Sequence, residues 1–175
     1  MATLPGPDSP LEPSGARDAP VVSGGARQPF VARRRVEFRD TDAAGIAHFS
    51  AFFVWMESAE HEFLRAVGVP LIEQGAPASG EVEAVGGGDS FSWPRVSASC
   101  DYVAAVRFGD ELDIVVAIEQ IGRTSVTWSH RFEHSGRSVA RGRMVAVRCR
   151  LRPGQRPESV PIPPEVVARL EAFSQ

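Results

Sequence analysis

The chain has 175 residues, 43% hydrophobic and 23% charged, which suits one globular domain with a real core. Its formal charge of −3 is the wrong sign for a basic nucleic-acid surface. No apolar run approaches the roughly 20 residues that span a bilayer. The two cysteines, Cys100 and Cys149, fit neither a disulfide framework nor a metal knuckle. They read as reduced core residues of a cytoplasmic protein, with a bridge between them as the alternative.

Residues 1–28 are rich in Pro, Gly, Ala and Ser and are expected to form a disordered N-terminal tail, because such a stretch buries too little surface to offset its ordering entropy. The folded domain is expected over 29–152. Residues 30–39 read as a strand, with Val36 and Phe38 on one face. The small residues and acids of Asp40-Thr41-Asp42-Ala43-Ala44-Gly45 mark a turn. Ser50 is placed to cap a helix over 51–67. Phe52, Met56, Ala59, Phe63 and Val67 form its apolar stripe, opposite Glu57, Glu60, His61 and Arg65. Gly68 and Pro70 end it.

A glycine-rich loop over 74–92 follows. It lacks the Lys-Ser/Thr of a phosphate loop and is read as a mobile linker. Four strands are then expected, at 95–106, 112–121, 124–134 and 138–151, joined by short turns. In the third, Val126, Trp128, His130 and Phe132 oppose Ser125, Thr127, Ser129 and Arg131. In the fourth, Val139, Val145, Val147 and Cys149 oppose Arg141, Arg143, Arg148 and Arg150, with a bulge expected at Gly142. Residues 153–175 form a C-terminal extension, with a short helix over 165–173 behind Pro164.

One strand, one long helix and four strands with short connections imply an α+β fold, an antiparallel sheet wrapped around the helix. One helix cannot cover both faces and the edges of five strands, so a homo-oligomer is expected.

Asp40 and Asp42 stand at the end of a strand, just before a helix start. The free N–H groups of a helix N-terminus stabilise a developing oxyanion, and a carboxylate beside them is a base or nucleophile for acyl transfer. Turn chemistry alone also accounts for two aspartates here. His48, lying among aromatics, reads either as a packing residue or as a donor that orients a ligand. No His, Cys and Asp spacing suggests a metal site.

The run from Asp40 through Gly45 to Ile46-Ala47-His48-Phe49, continuing to Phe52, Trp55 and Glu57, resembles the hotdog thioesterases of the 4-hydroxybenzoyl-CoA thioesterase type. The similarity extends more weakly through Trp93-Pro94-Arg95, Cys100-Asp101-Tyr102 and 107–111, covering roughly residues 33–150. The resemblance implies a hotdog fold, a five-stranded antiparallel sheet around a long central helix, and hydrolysis of an aryl or fatty acyl-CoA thioester. It makes Asp42 the catalytic aspartate, as nucleophile or general base. It makes the Phe49 N–H the donor to the thioester carbonyl, and Gly45 the glycine that lets the chain bend before the helix. Asp40 is assigned to holding the turn, and Glu57 falls where relatives carry an acid facing the site. His48 replaces an aromatic residue, and Ser50-Ala51 replaces a Pro-Asn or Ser-Asn pair. Arg123 and Arg107 are candidates for the CoA phosphates. No cofactor is expected beyond the coenzyme A of the substrate. The expected partner is a second copy of the chain, in a homodimer or homotetramer with the site between subunits. A hotdog hydratase or dehydratase and a non-catalytic acyl-CoA or acyl-carrier binding module are the alternative functions.

Overall fold

A computed structural model describes residues 29–74 and 89–173. The expected N-terminal tail and the Gly86–Gly88 run lie outside the described residues. In chain order the elements are β1 (Phe30–Arg35), a 3-10 turn (Phe38–Asp40), α1 (Phe49–Ala66), β2 (Glu73–Gln74), β3 (Ser90–Ser92), β4 (Arg95–Tyr102), β5 (Glu111–Ile121), β6 (Ser125–His134), β7 (Arg137–Val147), β8 (Cys149–Leu151), β9 (Glu158–Ser159) and α2 (Pro164–Glu171).

The main sheet runs β1-β5-β6-β7-β4, antiparallel throughout, and α1 lies along its inner face. This is the hotdog fold expected from the sequence. The helix buries Phe52, Trp55, Met56, Ala59, Phe63 and Leu64. Phe63 sits edge-on to Trp128 of β6 at 5.2 Å and to Phe30 of β1 at 5.4 Å, while Phe52 meets Phe132 at 5.2 Å. Each such side chain contributes about 1.5–3 kcal/mol by leaving water, so this stripe fixes the helix on the sheet.

β7 departs from the expected pattern in two ways. Gly142 is no bulge: it pairs in register with His130 of β6 and with Cys100 of β4. The sequence needs glycine there because a Cβ would stand 2.0 Å from the Met56 sulfur, so α1 crosses close over the sheet at this point. The irregularity lies at Phe132/Glu133 opposite Ala140/Ser138. Val139 and Ala140 are consecutively buried, and beyond them Gly142, Met144 and Ala146 face inward while Val145 and Val147 are half-buried. One extra residue reverses the period-2 alternation.

The expected fourth strand also breaks at Arg148, whose N–H bonds to the Thr124 carbonyl at 2.7 Å. Its continuation, β8, joins a second sheet of order β2-β3-β8-β9. Arg148, expected on a solvated face, is buried there, paired with Glu73 at 2.8 Å and lying over the Phe91 ring. After β9 the chain returns to the core: Ile162, Val166 and Leu170 are buried, and Arg169 of α2 donates to the Gly68 carbonyl beyond α1.

β1 and β4 are the free edges of the main sheet. β4 is largely exposed on both faces, Val96 at 63%.

Candidate active site

Where β1 ends, the chain enters a tight turn built by its own acids. The Glu37 N–H donates to Asp40 Oδ2 at 2.9 Å, and the Thr41 hydroxyl donates to the Phe38 carbonyl at 2.7 Å. Asp42 Oδ1 accepts from the Ala44 N–H at 2.8 Å and from the Ile46 N–H at 3.4 Å, an Asx-turn of the kind aspartate favours. Asp42 Oδ2 has no donor among the described residues, and the side chain is half-buried. Gly45 takes φ +73°, a left-handed conformation that a β-carbon would strain. The hairpin closes through a bridge between Thr41 and Ala47, and the His48 N–H donates to the Asp40 carbonyl at 2.7 Å. One arm of this hairpin carries Asp42; the other runs straight into α1.

The helix begins two residues earlier than expected. His48, not Ser50, is the N-cap: its Nδ1 accepts from the Ser50 N–H at 3.3 Å and lies 2.7 Å from the Ser50 hydroxyl. An imidazole nitrogen here replaces the hydroxyl the sequence offered for the same task. The following N–H, that of Phe49, is left without an acceptor among the described residues, as the first N–H groups of a helix are. Tyr102, at the end of β4, donates its hydroxyl proton to the Phe49 carbonyl at 3.1 Å and stacks edge-on to Phe52 at 5.1 Å.

Arg107 is brought to this loop. Its backbone bridges to Ile46, its N–H donates to Asp110 Oδ2 at 2.8 Å, and its side chain is exposed. Arg123 is not. It lies beyond the far end of β5, which at about 3.3 Å per residue spans roughly 33 Å. Glu57 is eight residues beyond Phe49, about 12 Å along the helix, and its half-exposed carboxylate lies 3.6 Å from Arg95 Nη1. A single chain thus assembles Asp42, Gly45, His48, Phe49 and Arg107, and leaves Glu57 and Arg123 elsewhere.

A second polar cluster lies deeper under α1. Glu60, expected on the polar helix face, is wholly buried, with Oε2 2.7 Å from Arg95 Nη2 and Oε1 3.5 Å from His130 Nε2. Burial pushes the Glu60 carboxyl up to about 7, against the pull of Arg95. Burial likewise pushes His130 down to about 4. The sequence held a signal for this position: Glu60 follows Phe52 and Met56 at steps of four, on the apolar stripe. Arg95 and Tyr102, by contrast, lie in segments that share only the weaker resemblance, and nothing in their spacing tied them to Glu60 or Phe49. Among the described residues no group of three His, Cys, Asp or Glu side chains converges to hold a metal ion. No helix among them is long and apolar enough to cross a membrane.

Known proteins share the fold described above. The sequence pattern of the thioesterase-like superfamily matches residues 36–170. A 1,4-dihydroxy-2-naphthoyl-CoA hydrolase of Synechococcus sp. (strain CC9311) is 30% identical over 112 residues, 63% of this chain and 70% of the relative. The solved structure of a gentisyl-coenzyme A thioesterase is 28% identical and superposes with a TM-score of 0.62, covering 81% of this chain and 98% of that one. A 4-hydroxybenzoyl CoA thioesterase, 21% identical, shares the fold with a TM-score of 0.65, covering 83% of this chain and 99% of its own. The chain belongs to the thioesterase-like superfamily and is a thioester hydrolase of the hotdog fold.

Proposed function

We propose that this thioesterase acts on aryl or fatty acyl thioesters of coenzyme A, with Asp42 as the catalytic carboxylate and the Phe49 N–H as the donor to the thioester carbonyl. The observation that carries the reading is the pairing of a half-used carboxylate with an unused helix N–H across one short hairpin. Asp42 Oδ1 is committed to the turn, which fixes the side chain and leaves Oδ2 for chemistry. In the general-base form, Oδ2 takes a proton from water, the hydroxide adds to the carbonyl carbon, and the Phe49 N–H steadies the oxyanion. Collapse breaks the C–S bond, and the proton passes to the departing CoA sulfur. In the nucleophilic form, Oδ2 adds directly, the C–S bond breaks and the CoA sulfur leaves with a proton, and water then attacks the aspartyl carbon of the resulting anhydride to free the acid. Single turnover in ¹⁸O-water separates them, because only the nucleophilic route leaves label in Asp42.

Arg107 beside the loop is suited to an anionic part of coenzyme A. We further propose a homodimer, or a tetramer built from it, formed by antiparallel pairing of β4 with its copy. The exposed edge supports this, as do the exposed apolar side chains Phe49 and Val54 of α1, 60% and 65% exposed. Two free thiols, Cys100 and Cys149, suit a reducing compartment such as the cytoplasm.

The test is thiol release from benzoyl-CoA and hexanoyl-CoA, with light scattering on the same sample. Turnover of either by a dimer or tetramer supports the reading and names the acyl class. Saturable binding of CoA without thiol release would turn it into a binding module, and a fully active monomer would remove the dimer.

A further inference from the structure

The first turn of α1 is the least supported part of that helix. Phe49 and Ser50 are exposed, and burial begins only at Ala51. The first N–H groups of a helix also lack partners within it, so packing does little to hold residues 48–50. Three bonds from outside the helix ladder hold them instead. The His48 N–H donates to the Asp40 carbonyl at 2.7 Å. The His48 ring caps the Ser50 N–H at 3.3 Å. The Tyr102 hydroxyl, 53 residues away in the chain, donates to the Phe49 carbonyl at 3.1 Å.

Tyr102 is itself firmly placed. It ends β4 in register with Ala140 of β7, and the next two N–H groups, of Val103 and Ala104, both donate to the Val139 carbonyl, at 2.8 and 3.1 Å. Val139 and Ala140 are buried. The Tyr102 ring meets Phe52 edge-on at 5.1 Å, and Phe52 in turn meets Phe132 of β6 at 5.2 Å. The ring is thus tied to the core while the hydroxyl reaches the start of α1. The packing does not call for a hydroxyl at this place, since phenylalanine would make the same ring contact.

A bond to the Phe49 carbonyl acts on both sides of that residue. Toward the helix it holds the Phe49–Ser50 peptide, and a carbonyl that accepts a hydrogen bond makes the N–H of its own amide a stronger donor. That N–H is the one the His48 ring caps. Toward the hairpin it restrains the torsions of Phe49 and with them the direction of the Phe49 N–H. We propose that Tyr102 is a positioning residue: from the end of β4 it sets the first residue of α1, so that the Phe49 N–H meets the thioester carbonyl already aligned. The proposal rests on the reading of Phe49 as that donor. A preset donor stabilises an oxyanion because it does not reorient as the charge develops, and a misplacement of about 1 Å can cost about 10²-fold in rate. In this role Tyr102 does not touch the substrate and keeps its proton.

Tyr102→Phe tests it, since it keeps the ring on Phe52 and removes only the hydroxyl. With benzoyl-CoA or hexanoyl-CoA, whichever is turned over, kcat is expected to fall about tenfold or more. KM is expected to stay unchanged, the pattern of an interaction made in the transition state alone. The thermal midpoint is expected to stay within a few degrees of wild type. A merely structural role would not move the infrared carbonyl stretch of the bound thioester. Measured in Asp42→Asn, where the thioester persists, that stretch should lie below the value for free thioester. Adding Tyr102→Phe should return part of the shift. Wild-type kcat in Tyr102→Phe would overturn the proposal. A lower kcat with an unchanged carbonyl stretch, or one matched by a rise in KM, would overturn it too, since the hydroxyl would then only support the fold. A stretch in Asp42→Asn equal to that of free thioester would instead overturn the reading of Phe49 as the donor.

Discussion

Asp42 and Glu60 are two carboxylates put to opposite uses within one short stretch of chain. Asp42 sits in an exposed turn with one oxygen bonded to backbone and the other open to a ligand. Glu60 lies at the bottom of the fold with its charge answered by Arg95 and its second oxygen lacking a hydrogen bond. Strongly shifted titration is a common mark of a functional site, and by that mark Glu60 would be chosen first. Yet a group that is wholly buried cannot meet a thioester. What favours Asp42 for the proposed role is access: one oxygen is left open, on a turn that runs on into the start of α1. What Glu60 offers is a buried anchor that holds the edge residue Arg95.

The comparison breaks most sharply at Asp42. Asp42→Asn should lower kcat by about 10²–10⁴-fold, the scale of a lost acid, base or nucleophile. Its thermal midpoint should stay at the wild-type value, because asparagine keeps the oxygen that accepts from the Ala44 N–H. Steady-state thiol release and a melting curve read both.

The Glu60 side should answer in stability. Arg95→Met leaves Glu60 buried without its cation, a change that costs about 3–5 kcal/mol for such pairs. The lower end is expected, since Glu60 is poised to take up a proton. Urea denaturation measures it, and a loss below about 0.5 kcal/mol, the range of ordinary surface changes, would show that the pair does not hold α1 to β4.

A smaller effect separates the contact of helix on sheet from the ion pair. Gly142→Ala places a methyl against Met56 and should cost about 1–3 kcal/mol, as overpacking does. Adding Met56→Ala should recover part of the loss, which a double-mutant cycle in urea reports.

The smallest expected signal is in pH. Glu60, raised from 4.5 to about 7, holds a proton in the native state that the unfolded chain has lost, so it makes stability fall as pH rises from 4.5 to 7. His130, lowered from 6.5 to about 4, stays neutral where the unfolded chain is protonated, so it makes stability rise from pH 4 to 6.5. Between pH 4.5 and 6.5 the two slopes oppose one another. Glu60→Gln removes one of them, and its stability should gain up to about 1.4 kcal/mol per pH unit over that window relative to wild type. Parallel curves for the two proteins would contradict the burial assigned to Glu60.

Much of the fold was legible because periodicity reports burial. The helix stripe from Phe52 to Phe63 and the β6 row from Val126 to Phe132, His130 included, read correctly from spacing alone. Three features did not. The inward face of β7 depends on a bulge opposite β6, which only pairing reveals. Gly142 owes its identity to Met56, a residue distant in sequence. Arg148 is buried because the chain leaves one sheet for another at that point. The Asp42 turn was visible as a motif, but its use of one oxygen and the cap at His48 required coordinates. Glu60 carried its own spacing signal, masked by the expectation that a glutamate on a helix faces water.

The most direct test of the central claim is to give Asp42→Asn the better of the two acyl-CoA probes and follow binding by calorimetry and thiol release together. The account predicts binding within a few-fold of the wild-type KM and thiol release at least about 100-fold slower than wild type. Wild-type release from the asparagine variant would show that the thioester is cleaved without Asp42.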